Sequence, residues 1–323
     1  MPIKAATKTI WLLVLAAFVI GLGLTGIGVA MGGKIPTGFG PDGMRYFSYQ
    51  TNTHYDRNMN PRFSAEFTTI SDVVEDVHSI SVLGVTTNIA IVSDGSSTAS
   101  DGSAISYSIY AQNPDDYRVR VRGGELSIEY RTHNGFNFGF GFFNSRTPEP
   151  SHIEIRVPSD VELRDVSLQV VSGSIDVQAA NALQVDRLEA DIVSGDINIA
   201  QLGTELQLTR LVIQCVSGDV NINGLGTELQ PVDLTVNNLS GDINIFDARL
   251  AGFDLSQVSG STTVTIFDLD GFDVEVSNIS GSVTKDGQSL IRGIGEISVG
   301  DGTGGRINID TVSGNVSLVS TNP

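Results

Sequence analysis

The chain has 323 residues, 40% apolar and 17% charged, with 36 glycines and a formal charge of −18. That composition suits β-structure punctuated by turns better than helical bundles, and the acidic balance argues against nucleic acid or anionic lipid as partners of the body. A single cysteine, Cys215, excludes an internal disulfide.

Residues 1–9 carry Lys4 and Lys8, and no charged residue follows until Lys34. The apolar run over 10–31 matches the ~30 Å hydrocarbon core as a helix. We expect a transmembrane anchor there, with Trp11 at the interface. The positive-inside rule puts residues 1–9 in the cytoplasm and the body outside the cell membrane. The competing reading is a signal peptide cleaved after Gly28-Val29-Ala30, which would leave the body secreted. Gly21-x-Gly23-x-x-Gly26 is not a dinucleotide fingerprint, because no strand precedes it and no acidic residue follows ~20 positions on. Residues 32–64, rich in Gly, Pro, Asn, Thr and Tyr, read as a linker, and His54 within it as a solvated side chain.

An N-terminal β region is expected over 65–160. Ile80-Ser81-Val82, Thr87–Ile91, Ile105–Tyr110, Tyr117–Arg122, Leu126–Tyr130 and Ile153–Val157 alternate with period two, the half-buried strand pattern. Arg118, Arg120 and Arg122 share one strand face, read as solvated and paired with nearby acids rather than as a glycan contact. Residues 132–150 interrupt the pattern. Phe136, Phe138, Phe140 and Phe142 alternate there with Gly and Asn, so an extended conformation lines them on one face. Exposed, they are candidates for binding a partner, a sugar or a membrane. The favoured alternative is a flap folded over an open end or side of the β-structure, since burying aromatic area is worth ~25 cal/mol per Å².

Residues 161–323 hold a repeat. An apolar-Ser-Gly phrase occurs seven times, with its glycine at Gly173, Gly195, Gly218, Gly241, Gly260, Gly281 and Gly314. Counting from that glycine, positions −7, −5 and −2 are apolar in every copy. Position +2 is apolar in all but one, where Thr262 stands. We read −7 and −5 as one strand face, a parity shift before −2, a bend at Ser-Gly and a new strand after it. A unit of ~22 residues cannot bury its own face, but stacked units share a core. The expected fold is therefore all-β: a parallel β-solenoid, right-handed by the crossover rule, with about seven to eight rungs. An eighth, degenerate unit is expected around Ile297-Ser298-Val299-Gly300.

Stacking makes ladders of outward residues. At +3 stand Asp176, Asn198, Asn221 and Asn244, which suggests side-chain amide stacking. At +1 stand Ser174, Asp196, Asp219, Asp242, Ser261, Ser282 and Asn315. Asp196, Asp219 and Asp242 are the only calcium candidates. They read first as solvated turn aspartates, because calcium takes 6–8 oxygens and the Gly-Gly-x-Gly-x-Asp pattern is absent. Cys215, at −3 in a column whose mixed polarity marks a corner or a semi-exposed row, reads as filler.

The Val-Ser-Gly-Asp-Ile repeat, preceded by Ile153-Glu154-Ile155-Arg156-Val157-Pro158, resembles the bacterial putative-adhesin β-strand repeat family, a domain of unknown function. The resemblance spans roughly 75–320. It implies an anchored or exported envelope protein with a β-solenoid fold, and it transfers no catalytic residue, cofactor or metal. The leading functional expectation is a non-enzymatic, extracytoplasmic scaffold or adhesion-type module with an envelope protein or glycan as partner. The second is an accessory protein of an envelope-stress signalling system, which some members of the family are thought to accompany. A polysaccharide-active enzyme ranks last, because the few basic residues of the repeats, such as Arg210 and Arg249, are scattered.

Overall fold

The computed structural model describes residues 39–40, 43–44, 67–94, 104–131, 151–179, 183–200, 208–227, 230–292, 295–299 and 304–321. The expected membrane segment, 10–31, and the Phe-rich residues 132–150 lie outside them. Among the described residues no helix is long and apolar enough to cross a membrane. Regular structure there is β-strand with two single 3-10 turns.

Strands β1 (Phe39–Gly40) and β2 (Gly43–Met44) pair with each other. The upstream strands are β3 (Thr68–Val74), β4 (Ser79–Asp94), β5 (Ile105–Ala111), β6 (Tyr117–Arg122), β7 (Glu125–Tyr130) and β8 (Ser151–Pro158). The first repeats contribute β9 (Glu162–Ser172), β10 (Ile175–Ala179), β11 (Gln184–Ser194), β12 (Ile197–Ala200), β13 (Arg210–Ser217) and β14 (Val220–Leu225). Then come β15 (Val232–Ser240), β16 (Ile243–Ala248), β17 (Leu250–Ser259) and β18 (Thr262–Ile266). The chain finishes with β19 (Phe272–Lys285), β20 (Gln288–Arg292), β21 (Gly295–Val299) and β22 (Gly305–Ser320).

Each rung is a strand, a corner at Ser-Gly and a second strand. First strands stack in parallel on first strands and second on second, in registers such as Leu188↔Leu211↔Leu234 and Ile197↔Val220↔Ile243, with one shift each where β17 and β18 join β15 and β16. The inward side chains of both sheets form one continuous core. The solenoid expected from the repeat is the fold.

The stack begins before the repeats. The first half of β4 pairs with β9 and its second half with β10, so β4 is a bent rung whose corner is Thr86-Thr87-Asn88. Beyond it, β7 and β8 pair in parallel with the same two halves. They form a further rung whose corner is replaced by the 20 residues between Tyr130 and Ser151. Nine parallel layers result, in the order β7/β8, β4, β9/β10, β11/β12, β13/β14, β15/β16, β17/β18, β22, β19. At ~4.8 Å per layer they span about 38 Å.

Three expectations need correction. First, no parity shift occurs before −2. Position −3 is buried along with −5 and −7, and −2 faces outward, half-buried. The strand runs straight to the Ser, and all the bending falls on the glycine. Second, no parallel eighth unit forms at 295–299. There β21 lies antiparallel on β19, as does β20. Third, the rungs do not follow chain order: β22 sits between β17/β18 and β19, parallel to both. Charge favours this order at one position. Stacking β19 directly on β17 would set Glu275 beside Asp254, two like charges about one strand spacing apart, worth ~1 kcal/mol of repulsion in water. Strand β22 separates them with Asn308, which donates to Asp254 at 2.6 Å, and supplies Arg306 to pair with Glu275.

Antiparallel strands close both ends: β6 on β7, β5 on β8 and β3 on β5 at one, β20 and β21 on β19 at the other.

Candidate functional site: the corner columns

The corner is where the repeat concentrates its polar residues, so it is the place to look for chemistry. Its seven glycines have φ between 121° and 148°, a region side chains rarely enter. A second constraint comes from stacking. A Cβ on Gly218 would lie 1.9 Å from the carbonyl oxygen of Gly195 below it, and one on Gly241 2.0 Å from that of Gly218. Each corner backbone rests on the next with no room for a methyl group.

The +1 column crosses the same interface. Asp196 Oδ1 accepts the backbone N–H of Asp219 at 3.0 Å. Asp219 Oδ1 accepts that of Asp242, and Asp242 Oδ1 that of Ser261, both at 2.8 Å. Asn88 does the same for Ser174, and Asn315 for Ser282. The three calcium candidates thus stand one rung apart on the surface, and each gives one oxygen to the neighbouring corner. Among the described residues no group of three or more His, Cys, Asp or Glu is placed to hold a metal ion. The geometry asks only for an acceptor at +1. We expect Asp219→Asn to be nearly neutral and Asp219→Ala to cost about 1 kcal/mol in urea unfolding. The melting midpoint should be equal in calcium and in EDTA; a calcium-dependent rise abolished by Asp219→Asn would show a cation bridging the column.

The +3 column is the amide ladder expected. Asn244 donates to Asn221 and Asn221 to Asn198, both at 3.1 Å; Asn198 donates to Asp176 at 2.9 Å. Ser174 Oγ donates to the other carboxylate oxygen of Asp176 at 2.8 Å.

Position −3 is interior. In stack order its residues are Val170, Ile192, Cys215, Asn238, Gln257, Thr311 and Asn278, all at most 3% exposed. Two of the polar ones serve the corners, while the Asn278 side chain and the Thr311 hydroxyl are buried with no hydrogen-bond partner. Asn238 Nδ2 and Gln257 Nε2 donate to the Gly241 carbonyl at 3.3 and 2.9 Å. Gln257 Oε1 accepts from Thr262 Oγ1 at 2.7 Å, which explains the one polar residue at +2. Cys215 Sγ lies 3.6 Å from the Gly218 carbonyl oxygen. Burial first, then the Asp196 and Asp219 carboxylates, push its thiol up to about 12, so at neutral pH it is no thiolate nucleophile. It is filler, as expected, but inside the core rather than on a semi-exposed row.

Where the upstream corners depart from Ser-Gly, hydroxyls fill the space. Thr87, in the glycine's place on β4, is 1% exposed. Its Oγ1 lies 2.9 Å from the Tyr117 hydroxyl and 3.0 Å from Ser151 Oγ, and Ser151 Oγ also meets Tyr117 and donates to the Thr86 carbonyl. Gly84 makes room for this, since a Cβ there would lie 2.6 Å from that of Thr87. The Phe candidates Phe136, Phe138, Phe140 and Phe142 lie outside the described residues, but the strand ends flanking them, Tyr130 and Ser151, meet this cluster: Tyr130 packs edge-on against Tyr117. Opposite β7, Arg118 stands in register with Glu129 and Arg122 with Glu125.

One outward carboxylate stood out in no sequence pattern. Asp191, at −4 on β11, is 5% exposed. Its Oδ2 accepts from Gln169 at 3.3 Å and its Oδ1 has no hydrogen-bond partner. Burial, reinforced by Glu189, raises its carboxyl to about 7, against the lowering effect of the Gln169 bond.

A parallel stack of bent rungs, with its corner polar groups turned to neighbouring rungs, defines a β-solenoid scaffold. The family model described as Toastrack DUF4097 matches residues 86–319, and the chain belongs to that family. Among solved structures, a putative adhesin from Bacteroides fragilis is 18% identical, covering 80% of this chain and 98% of its own, with a TM-score of 0.45. A putative cell adhesion protein from Clostridium sporogenes is 10% identical, covering 79% and 100%, with a TM-score of 0.40. A putative lipid binding protein from Parabacteroides distasonis is 15% identical, covering 80% and 98%, with a TM-score of 0.39. No curated protein matches the chain.

Proposed function

We propose that this chain is a non-enzymatic scaffold or adhesion-type module of a bacterial cell envelope. Residues 10–31 hold it in the membrane, residues 32–64 space it away, and the β body presents its outer faces to an envelope protein or glycan. The observation that carries this reading is the use of the repeat's polar residues. Asp196, Asp219, Asp242, Asn198, Asn221, Asn238 and Gln257 each bond to the adjacent rung or to a corner. The repeat spends its recurring phrase on contacts between rungs, which a spacer or presenting surface needs and a catalytic groove does not.

The test is protease shaving of intact cells carrying the full chain with a tag on each terminus. The C-terminal tag should be lost and the N-terminal tag should stay with the membrane fraction. A C-terminal tag protected in intact cells and cleaved only after lysis overturns the topology. Partner capture by cross-linking on those cells then separates the roles: an envelope structural protein or glycan supports the scaffold, and a membrane-bound signalling protein supports the accessory reading.

A further inference from the structure

The position of β22 makes it an exchangeable element. It follows every other described strand in sequence, yet it lies inside the stack, with β17/β18 on one side and β19 on the other. A chain whose β22 is out of place therefore exposes two parallel strand edges that face each other across one vacancy. Collapse of the vacancy would bring Glu275 onto Asp254 and take Arg306 from its Glu275 partner. What fills it must carry the pattern of β22: Asn308 toward Asp254, Arg306 toward Glu275, and Asn315, whose Oδ1 accepts both the N–H and the Oγ–H of Ser282. It must also carry a glycine at the corner, since a Cβ on Gly314 would lie 1.8 Å from the Gly260 carbonyl oxygen. One sequence meets all four conditions, and every copy of the chain bears it.

We propose that β22 inserts into the vacancy of a second copy, reciprocally, to give a strand-exchanged dimer. Strand β22 contacts β17, β18, β19, the Leu269–Gly271 turn and Asp286 of the β19–β20 turn, so these contacts are the same whichever chain supplies it, and exchange costs only what the connection and association cost. This inference rests on strand order alone and stands or falls separately from the scaffold reading.

Cysteine pairs in register across the β22 boundary test it, using the full chain in detergent. Thr263 and Ser317 are partners between β18 and β22, and Ser256 and Asp310 between β17 and β22. Two single variants, Thr263→Cys and Ser317→Cys, are mixed, warmed below the melting midpoint and oxidised. Exchange puts one thiol of each chain side by side and yields a covalent dimer on non-reducing gels. The amount should exceed that from Thr263→Cys mixed with Ser81→Cys, on distant β4, by at least about tenfold. The pair Ser256→Cys with Asp310→Cys should behave alike. If both mixtures stay at the control level while the double variants close internal disulfides, exchange does not occur. If the double variants fail to close as well, β22 is not paired with β17/β18 and the inference falls with its premise.

Discussion

Gly218→Ala is expected to lower stability by at least about 3 kcal/mol, a loss large enough to leave much of the chain unfolded at 37 °C. Two penalties add. The residue has φ 143°, where a Cβ strains the backbone. That Cβ also falls 1.9 Å from the Gly195 carbonyl oxygen, a backbone atom fixed by its own rung. Gly123→Ala separates the two. Gly123, in the β6–β7 turn, also has a positive φ, 60°, but nothing lies within 4 Å of its added Cβ. It should cost only about 1–2 kcal/mol, the conformational part alone. Urea unfolding of both variants gives the comparison. Equal losses would mean that the corners can spread apart and that stacking, as described here, is looser than the geometry requires.

Asp191→Asn is expected to stabilise the chain at neutral and alkaline pH and to do nothing in acid. The sign follows from the raised carboxyl. Below the unfolded value, near 3.8, it is protonated in both states and contributes no difference. Between there and about 7 the unfolded chain ionises first, so stability falls as pH rises. Above about 7 the folded protein must hold a buried carboxylate beside Glu189, and the whole cost is present. At 1.36 kcal/mol per pH unit that cost is roughly 4 kcal/mol as a ceiling. The amide removes it and can still bond to Gln169. Thermal melts from pH 3.5 to 8.5 should converge at the acid end and diverge above neutrality. Parallel curves would show that Asp191 is ionised in the folded protein throughout.

The columns legible in the sequence are those whose chemistry matches their side of the sheet. Positions −7, −5 and +2 are aliphatic and inward, and the glycine and the Asn ladder announced themselves in the same way. Position −3 was misread because Asn238, Gln257, Thr311 and Asn278 are polar, and polarity normally marks surface. Here Asn238 and Gln257 reach partners inside the corner, while the Asn278 side chain and the Thr311 hydroxyl are buried with none. The −2 residues misled in the opposite sense, being aliphatic yet outward. The β4 rung escaped notice because Thr87 stands where the glycine would be, although Ile80, Val82, Val85, Ile89 and Ile91 repeat the spacing. Strand order was hidden for a different reason. Equivalent rungs share the same apolar columns, so nothing local says which neighbours which. Asp254, Arg306 and Glu275, off those columns, favour β22 between β17 and β19.

The antiparallel strands at the two ends have a consequence for solubility. Parallel layers ~4.8 Å apart, with ladders of identical amides, have the internal geometry of a cross-β fibril. Such a fibril grows because its last layer is a template for the next. Here the last layers run the other way, and the outermost strand of one end, β6, carries Arg118, Arg120 and Arg122. An incoming rung meets a reversed hydrogen-bond pattern and a row of charge instead of its own likeness. The body has the interior of a polymer and the ends of a monomer, and chain termination is written into β3, β5, β6, β20 and β21.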